Sequence, residues 1–82
     1  MIITNKTNDR VDIVCYQHTN DTKALQSITI KSGKSKDLKL YKPYLKIFGI
    51  NSKLIEERYF YNNFVIFEDK IEEEPSSYCI IS

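Results

Sequence analysis

The chain has 82 residues, of which 41% are hydrophobic and 28% charged, and its formal net charge is +1. That length leaves room for one core and excludes a second. Ten Tyr and Phe residues exclude disorder of the body, and no apolar run nears the roughly 20 residues of a membrane-spanning helix. A chain this short buries only about 60% of its unfolded surface, so marginal stability is expected. The opening Met1-Ile2-Ile3-Thr4-Asn5-Lys6 lacks a basic segment followed by a long apolar one, so a cytosolic protein is expected.

The chain has one Ala against 20 Ile, Val and Thr, a balance that fits pleated, half-buried surfaces better than helices. Residues 1–5 read as an edge strand and residues 5–10 as a turn. Residues 11–16 alternate, with Val11, Ile13 and Cys15 on one face. A polar loop at 18–22 precedes a strand at 25–31, where Ile28 and Ile30 share a face. Ser32-Gly33-Lys34-Ser35 breaks it. Leu38 and Leu40 mark a short strand that ends at Lys42-Pro43, because proline has no N–H to give a ladder.

Residues 44–50 form the next strand, with Leu45 and Ile47 facing one way and Tyr44, Lys46 and Phe48 the other. Residues 54–61 read two ways. Glu56-Glu57-Arg58 suits a helical turn, whereas the alternation of Leu54, Glu56, Arg58 and Phe60 suits a strand. Asn62-Asn63 tolerates the positive φ of a tight hairpin, and residues 64–68 follow as a strand. The sum is all-β: a small antiparallel β-sandwich of about seven short strands over residues 1–68. Residues 69–82, acidic and broken by Pro75, read as a flexible tail.

Charge is divided along the chain. Residues 1–55 carry ten Lys and Arg against four Asp and Glu, and residues 56–82 carry two against seven. This division predicts a dipolar surface and no nucleic-acid partner.

The last four residues, Cys79-Ile80-Ile81-Ser82, resemble the CaaX box of farnesylated proteins: a cysteine, two aliphatics and a terminal serine. The resemblance implies lipid attachment at Cys79, with Ile80, Ile81 and Ser82 as the motif read by a prenyltransferase. It also implies reversible recruitment to the cytoplasmic face of membranes. The other reading makes residues 78–81 a further strand with an inert thiol at Cys79. One prenyl chain binds membranes only marginally, so a second attraction is required. Lys31, Lys34, Lys36, Lys39, Lys42 and Lys46 would supply it as a basic stripe facing an anionic leaflet. The same lysines also read as a solvated face that protects edge strands.

Residues 2–68 resemble the β domain of the von Hippel–Lindau tumour suppressor family. The likeness lies in Asn5-Lys6-Thr7, in residues 11–16, in Ile28-Thr29-Ile30-Lys31-Ser32-Gly33, and in Tyr41 and Leu45-Lys46-Ile47-Phe48. It implies a seven-stranded sandwich that recognises a peptide. The family's peptide-contacting tryptophan falls at Tyr16, its tyrosine at Ser27, its serine at Leu40, its histidine at Tyr44 and its second tryptophan at Lys46. Replacing the hydroxyl-binding serine and histidine removes the partners of a buried hydroxyproline. The resemblance therefore implies a peptide-binding face at Tyr16, Tyr44 and Lys46 without hydroxyproline recognition. The family's helical domain has no counterpart in these residues.

Catalytic and metal-binding patterns are thin. His18 is the single histidine and falls in a polar loop; Glu72, Glu73 and Glu74 adjoin one another in the acidic segment. One His and two distant Cys do not make a zinc site, and no disulfide between Cys15 and Cys79 is expected. Ser32-Gly33-Lys34-Ser35 lacks the upstream glycine of a phosphate loop. Asn5-Lys6-Thr7 and Asn20-Asp21-Thr22 are glycosylation sequons in form. The resulting expectation is a non-enzymatic adaptor without cofactor or metal. It is farnesylated at Cys79 in the first reading, and a soluble peptide-binding module in the second.

Overall fold

Two four-stranded sheets pack face to face in the computed structural model, which describes residues 1–74. Eight strands follow in chain order: β1 (Ile2–Asn5), β2 (Val11–Tyr16), β3 (Gln26–Ile30), β4 (Ser35–Asp37), β5 (Tyr44–Phe48), β6 (Leu54–Tyr59), β7 (Phe64–Ile66) and β8 (Ile71–Glu73). One sheet is ordered β4-β1-β7-β8 and the other β3-β2-β5-β6. A 3-10 turn, Ile50–Ser52, precedes β6, and no α-helix occurs among the described residues.

The period-2 pattern determines which side chains go inside. Val11, Ile13 and Cys15 of β2 and Leu45 and Ile47 of β5 are fully buried, facing Ile3, Phe64 and Ile66 of the other sheet. Phe60 stacks on Phe64 with ring centroids 4.0 Å apart. These residues, with Ile30 and Leu38, form one core. Burial of branched and aromatic side chains at about 25 cal/mol per Å2 is the main force holding so small a domain.

The two-way segment 54–61 resolves as a strand, because Arg58 and Glu56 align with Leu45 and Ile47 in the β5–β6 ladder. Their inward-facing charges are answered at the rim, where Arg58 Nη1 lies 3.1 Å from Glu73 Oε1 of β8 and ties the two sheets together.

Three expectations change. The short strand placed at Leu38 and Leu40 lies earlier, at Ser35–Asp37, and pairs antiparallel with β1. Leu38 leaves the ladder to plug the core while its N–H donates to Met1 O at 2.7 Å. The tail assigned to 69–82 contains an eighth strand, Ile71–Glu73, antiparallel to β7. Ile71 packs on the core opposite Ile66, and Glu73 accepts the Tyr61 and Asn62 N–H groups, so this acidic stretch has both an apolar anchor and partners for a carboxylate. Finally, β1 and β7 pair in parallel inside an otherwise antiparallel arrangement.

Candidate binding surface

Because β2 and β5 bury their odd-numbered residues, their even-numbered ones stand on the outer face of the β3-β2-β5-β6 sheet. Register then sets three tyrosines in a row: Tyr16 is opposite Tyr44, and Tyr44 is opposite Tyr59. All three rings are half-buried. Tyr44 and Tyr59 meet edge to face, with centroids 5.0 Å apart and planes at 69°. The next row is Val14, Lys46 and Glu57.

Polar groups hold these rings in place. Lys46 Nζ sits 5.1 Å from the centre of the Tyr16 ring and 4.0 Å from Glu57 Oε2. The Tyr44 hydroxyl donates to the same Glu57 Oε2 at 3.0 Å. The Thr19 N–H donates to the Tyr59 hydroxyl at 3.0 Å, which draws the 17–25 loop beside the row. The Tyr59 oxygen is thus an acceptor inside the fold, and its proton is available to donate outward. Rigid rings with one free donor, an ammonium and a carboxylate give a partner both apolar contact and orientation at low entropic cost.

The structure brings Tyr16, Tyr44 and Lys46 together, as the peptide-binding reading requires. Glu57 and Tyr59 join them, and sequence reasoning passed over both. Their signal was present: read as a strand, residues 54–59 place Glu57 and Tyr59 on the face opposite Arg58. Ser27 lies on this face beside Val14, whereas Leu40 packs against the core and takes no part.

The six lysines form no single stripe. Lys46 is on the tyrosine face, and Lys42 lies at one end, its ammonium 5.1 Å from the Tyr41 ring and 5.8 Å from Tyr61. Lys39 is held 2.7 Å from Asp37. That hydrogen bond keeps the Asp37 carboxyl below its ordinary pKa and raises that of Lys39. Lys36 sits on the outer strand β4, whereas Lys31 and Lys34 bracket the turn between β3 and β4 at the other end of the sandwich. A stripe spaced along the sequence is dispersed because the segment crosses from one sheet to the other.

Cys79, Ile80, Ile81 and Ser82 lie outside the described residues. Among the described residues, no His, Cys, Asp and Glu side chains group in threes or more to share a metal ion. Nor is any helix there long and apolar enough to cross a membrane. No protein-family model, curated protein or solved structure matches this chain.

Proposed function

We propose that the protein is a non-catalytic binding module whose outer sheet face, built from Tyr16, Tyr44, Tyr59, Lys46 and Glu57, takes an extended peptide segment of a partner protein. The observation that carries this reading is the row of three half-buried tyrosines across adjacent strands, with Lys46 and Glu57 in the row beside it. Extended peptides present alternating side chains and backbone carbonyls, which suit an aromatic face with outward-pointing donors. Selecting a random-peptide display library on the full chain tests it. Enriched peptides should lose about tenfold or more in affinity for Tyr44→Ala and for Tyr16→Ala, as aromatic anchors of interfaces do. Failure to enrich any peptide, or enriched peptides indifferent to both variants, rejects the reading.

A second reading is favoured by Cys79-Ile80-Ile81-Ser82: farnesylation at Cys79 by a prenyltransferase, with reversible recruitment to the cytoplasmic face of membranes. Its test is the intact mass of the protein from its own cells, with and without a farnesyltransferase inhibitor. A farnesyl-sized gain that the inhibitor removes supports lipidation, and an unmodified mass in both samples ends it.

A further inference from the structure

The end of the sandwich that carries the β3–β4 turn holds a second surface. The strands end so that the connections 6–10, 31–34, 49–53 and 67–70 gather there. Asn5 stitches two of them to the end of β3: its amide donates to Asp9 O and Ile30 O, and its backbone carbonyl accepts the Gly33 N–H. Around a cleft of about 430 Å3 at this end stand Ile50, Leu54 and Ile55. They are 48%, 43% and 45% exposed, an unusual concentration of bare aliphatics on a domain with so small a core.

Local geometry holds them in place. The Gly49 N–H donates to Lys53 O at 2.8 Å and closes a turn in which Asn51 and Ser52 adopt left-handed backbone, with φ of 59° and 58°. A Cβ at Gly49 would come within 3.2 Å of Ile55 Cδ1, so the turn rests directly on that side chain.

Cations share this end with the aliphatics, and Arg10 and Lys53 line the same cleft. The four connections carry Lys6, Arg10, Lys31, Lys34, Lys53 and Lys70 against Asp9, Glu68 and Asp69. Arg10 pairs with Asp12 and Lys70 with Glu72. Lys6, Lys31, Lys34 and Lys53 make no ion pair among the described residues. Glu68 is turned to its own neighbours, where its carboxylate accepts the Asn8 N–H.

We infer that this end docks on an anionic lipid bilayer, with Ile50, Leu54 and Ile55 entering the interfacial region and the four lysines facing acidic headgroups. Three aliphatics are too few to hold a protein on a neutral membrane, and four lysines without apolar contact bind only loosely. Gathered at one end of the sandwich, they match a surface that is apolar beneath and negative above. The inference rests neither on the tyrosine row nor on Cys79.

The full chain, made unlipidated in bacteria, should co-sediment with phosphatidylcholine vesicles containing phosphatidylserine, should ignore pure phosphatidylcholine, and should release in high salt. Lys31→Ala combined with Lys34→Ala should lower partitioning about tenfold or more, while Lys39→Ala, at the opposite end, leaves it unchanged. The chain has no tryptophan, so Ile50→Trp and Tyr41→Trp each create a single reporter at an exposed position, one per end. Vesicles containing phosphatidylserine should shift the emission of Ile50→Trp to the blue and leave that of Tyr41→Trp unmoved. Absence of binding to these vesicles by the unmodified chain overturns the inference. So does an equal shift of both reporters, or binding that survives loss of the lysines and high salt. Circular dichroism of each variant establishes that it is folded.

Discussion

Asn5 is the most demanding single residue of the molecule. It is fully buried, yet its amide nitrogen donates at 2.8 Å to Asp9 O and at 2.9 Å to Ile30 O, and its oxygen accepts the Thr7 N–H and hydroxyl at 2.9 and 2.7 Å. Every hydrogen-bonding capacity of the side chain is spent, three bonds on the 6–10 turn and one on the end of β3. Asn5→Asp keeps the shape but replaces two donors with a carboxylate facing carbonyls. Urea unfolding should show a loss of about 3 kcal/mol or more, because buried polar groups left without partners are costly. The same geometry makes Asn5-Lys6-Thr7 a sequon in form only once the chain has folded, since its nitrogen is enclosed.

Cys15 is the apolar counterpart. Burial pushes its thiol up to about 11 from an ordinary value of 9.0. In the folded protein the thiol stays neutral near pH 8, so peptide mapping after alkylation at that pH should leave Cys15 unmodified until denaturant is added. The linkage has a sign. The unfolded thiol ionises first, so the folded state loses relative stability as pH rises from about 9 towards 11, and Cys15→Ala should flatten that fall.

Elements succeed here through their rims more than their propensities. β6 and β8 both carry inward-facing charge, a poor start for a core strand, and the Arg58–Glu73 bridge reconciles them. Glu73 also accepts the N–H groups of Tyr61 and Asn62, which lets the hairpin into β7 turn without leaving donors unpaired. Glu73→Ala should therefore cost roughly 1–3 kcal/mol in thermal or urea unfolding. Glu72→Ala, one residue away and paired only with exposed Lys70, should fall within about 0.5 kcal/mol of the parent. Equal effects would show that β8 contributes through its backbone alone. The lysines of the outer strand β4 and its turn read differently at this scale: beside a sheet edge with no further strand among the described residues, they discourage a second chain from adding on.

Across the whole molecule, the two surfaces described above use different parts of one scaffold. The tyrosine row lies on the broad face of one sheet, and the aliphatic and lysine cluster lies at the end where four connections meet. A partner peptide and a lipid surface would each meet residues the other leaves free. This arrangement is consistent with the adaptor reading, in which one surface positions the module and the other recruits.

What was legible in the amino-acid sequence was local. Alternation named the buried set of β2 and β5, and so assigned Tyr16, Tyr44 and Lys46 to the outside, because a strand's side chains change face at every residue. Turn residues marked most strand ends for the same kind of short-range reason. Pairing was not legible. Nothing near Ile3 announces Phe64 as its parallel neighbour, and nothing in Glu72-Glu73-Glu74 announces a strand until Arg58 is placed beside Glu73. The fate of the lysines was decided the same way. Lys31 and Lys34 come to the same end as Ile50, Lys6 and Lys53 only because β1, β3, β4 and β6 bring their ends to one place. Burial pattern is a property of neighbours in the chain, whereas a binding surface is a property of neighbours in space, and only the tertiary fold creates those.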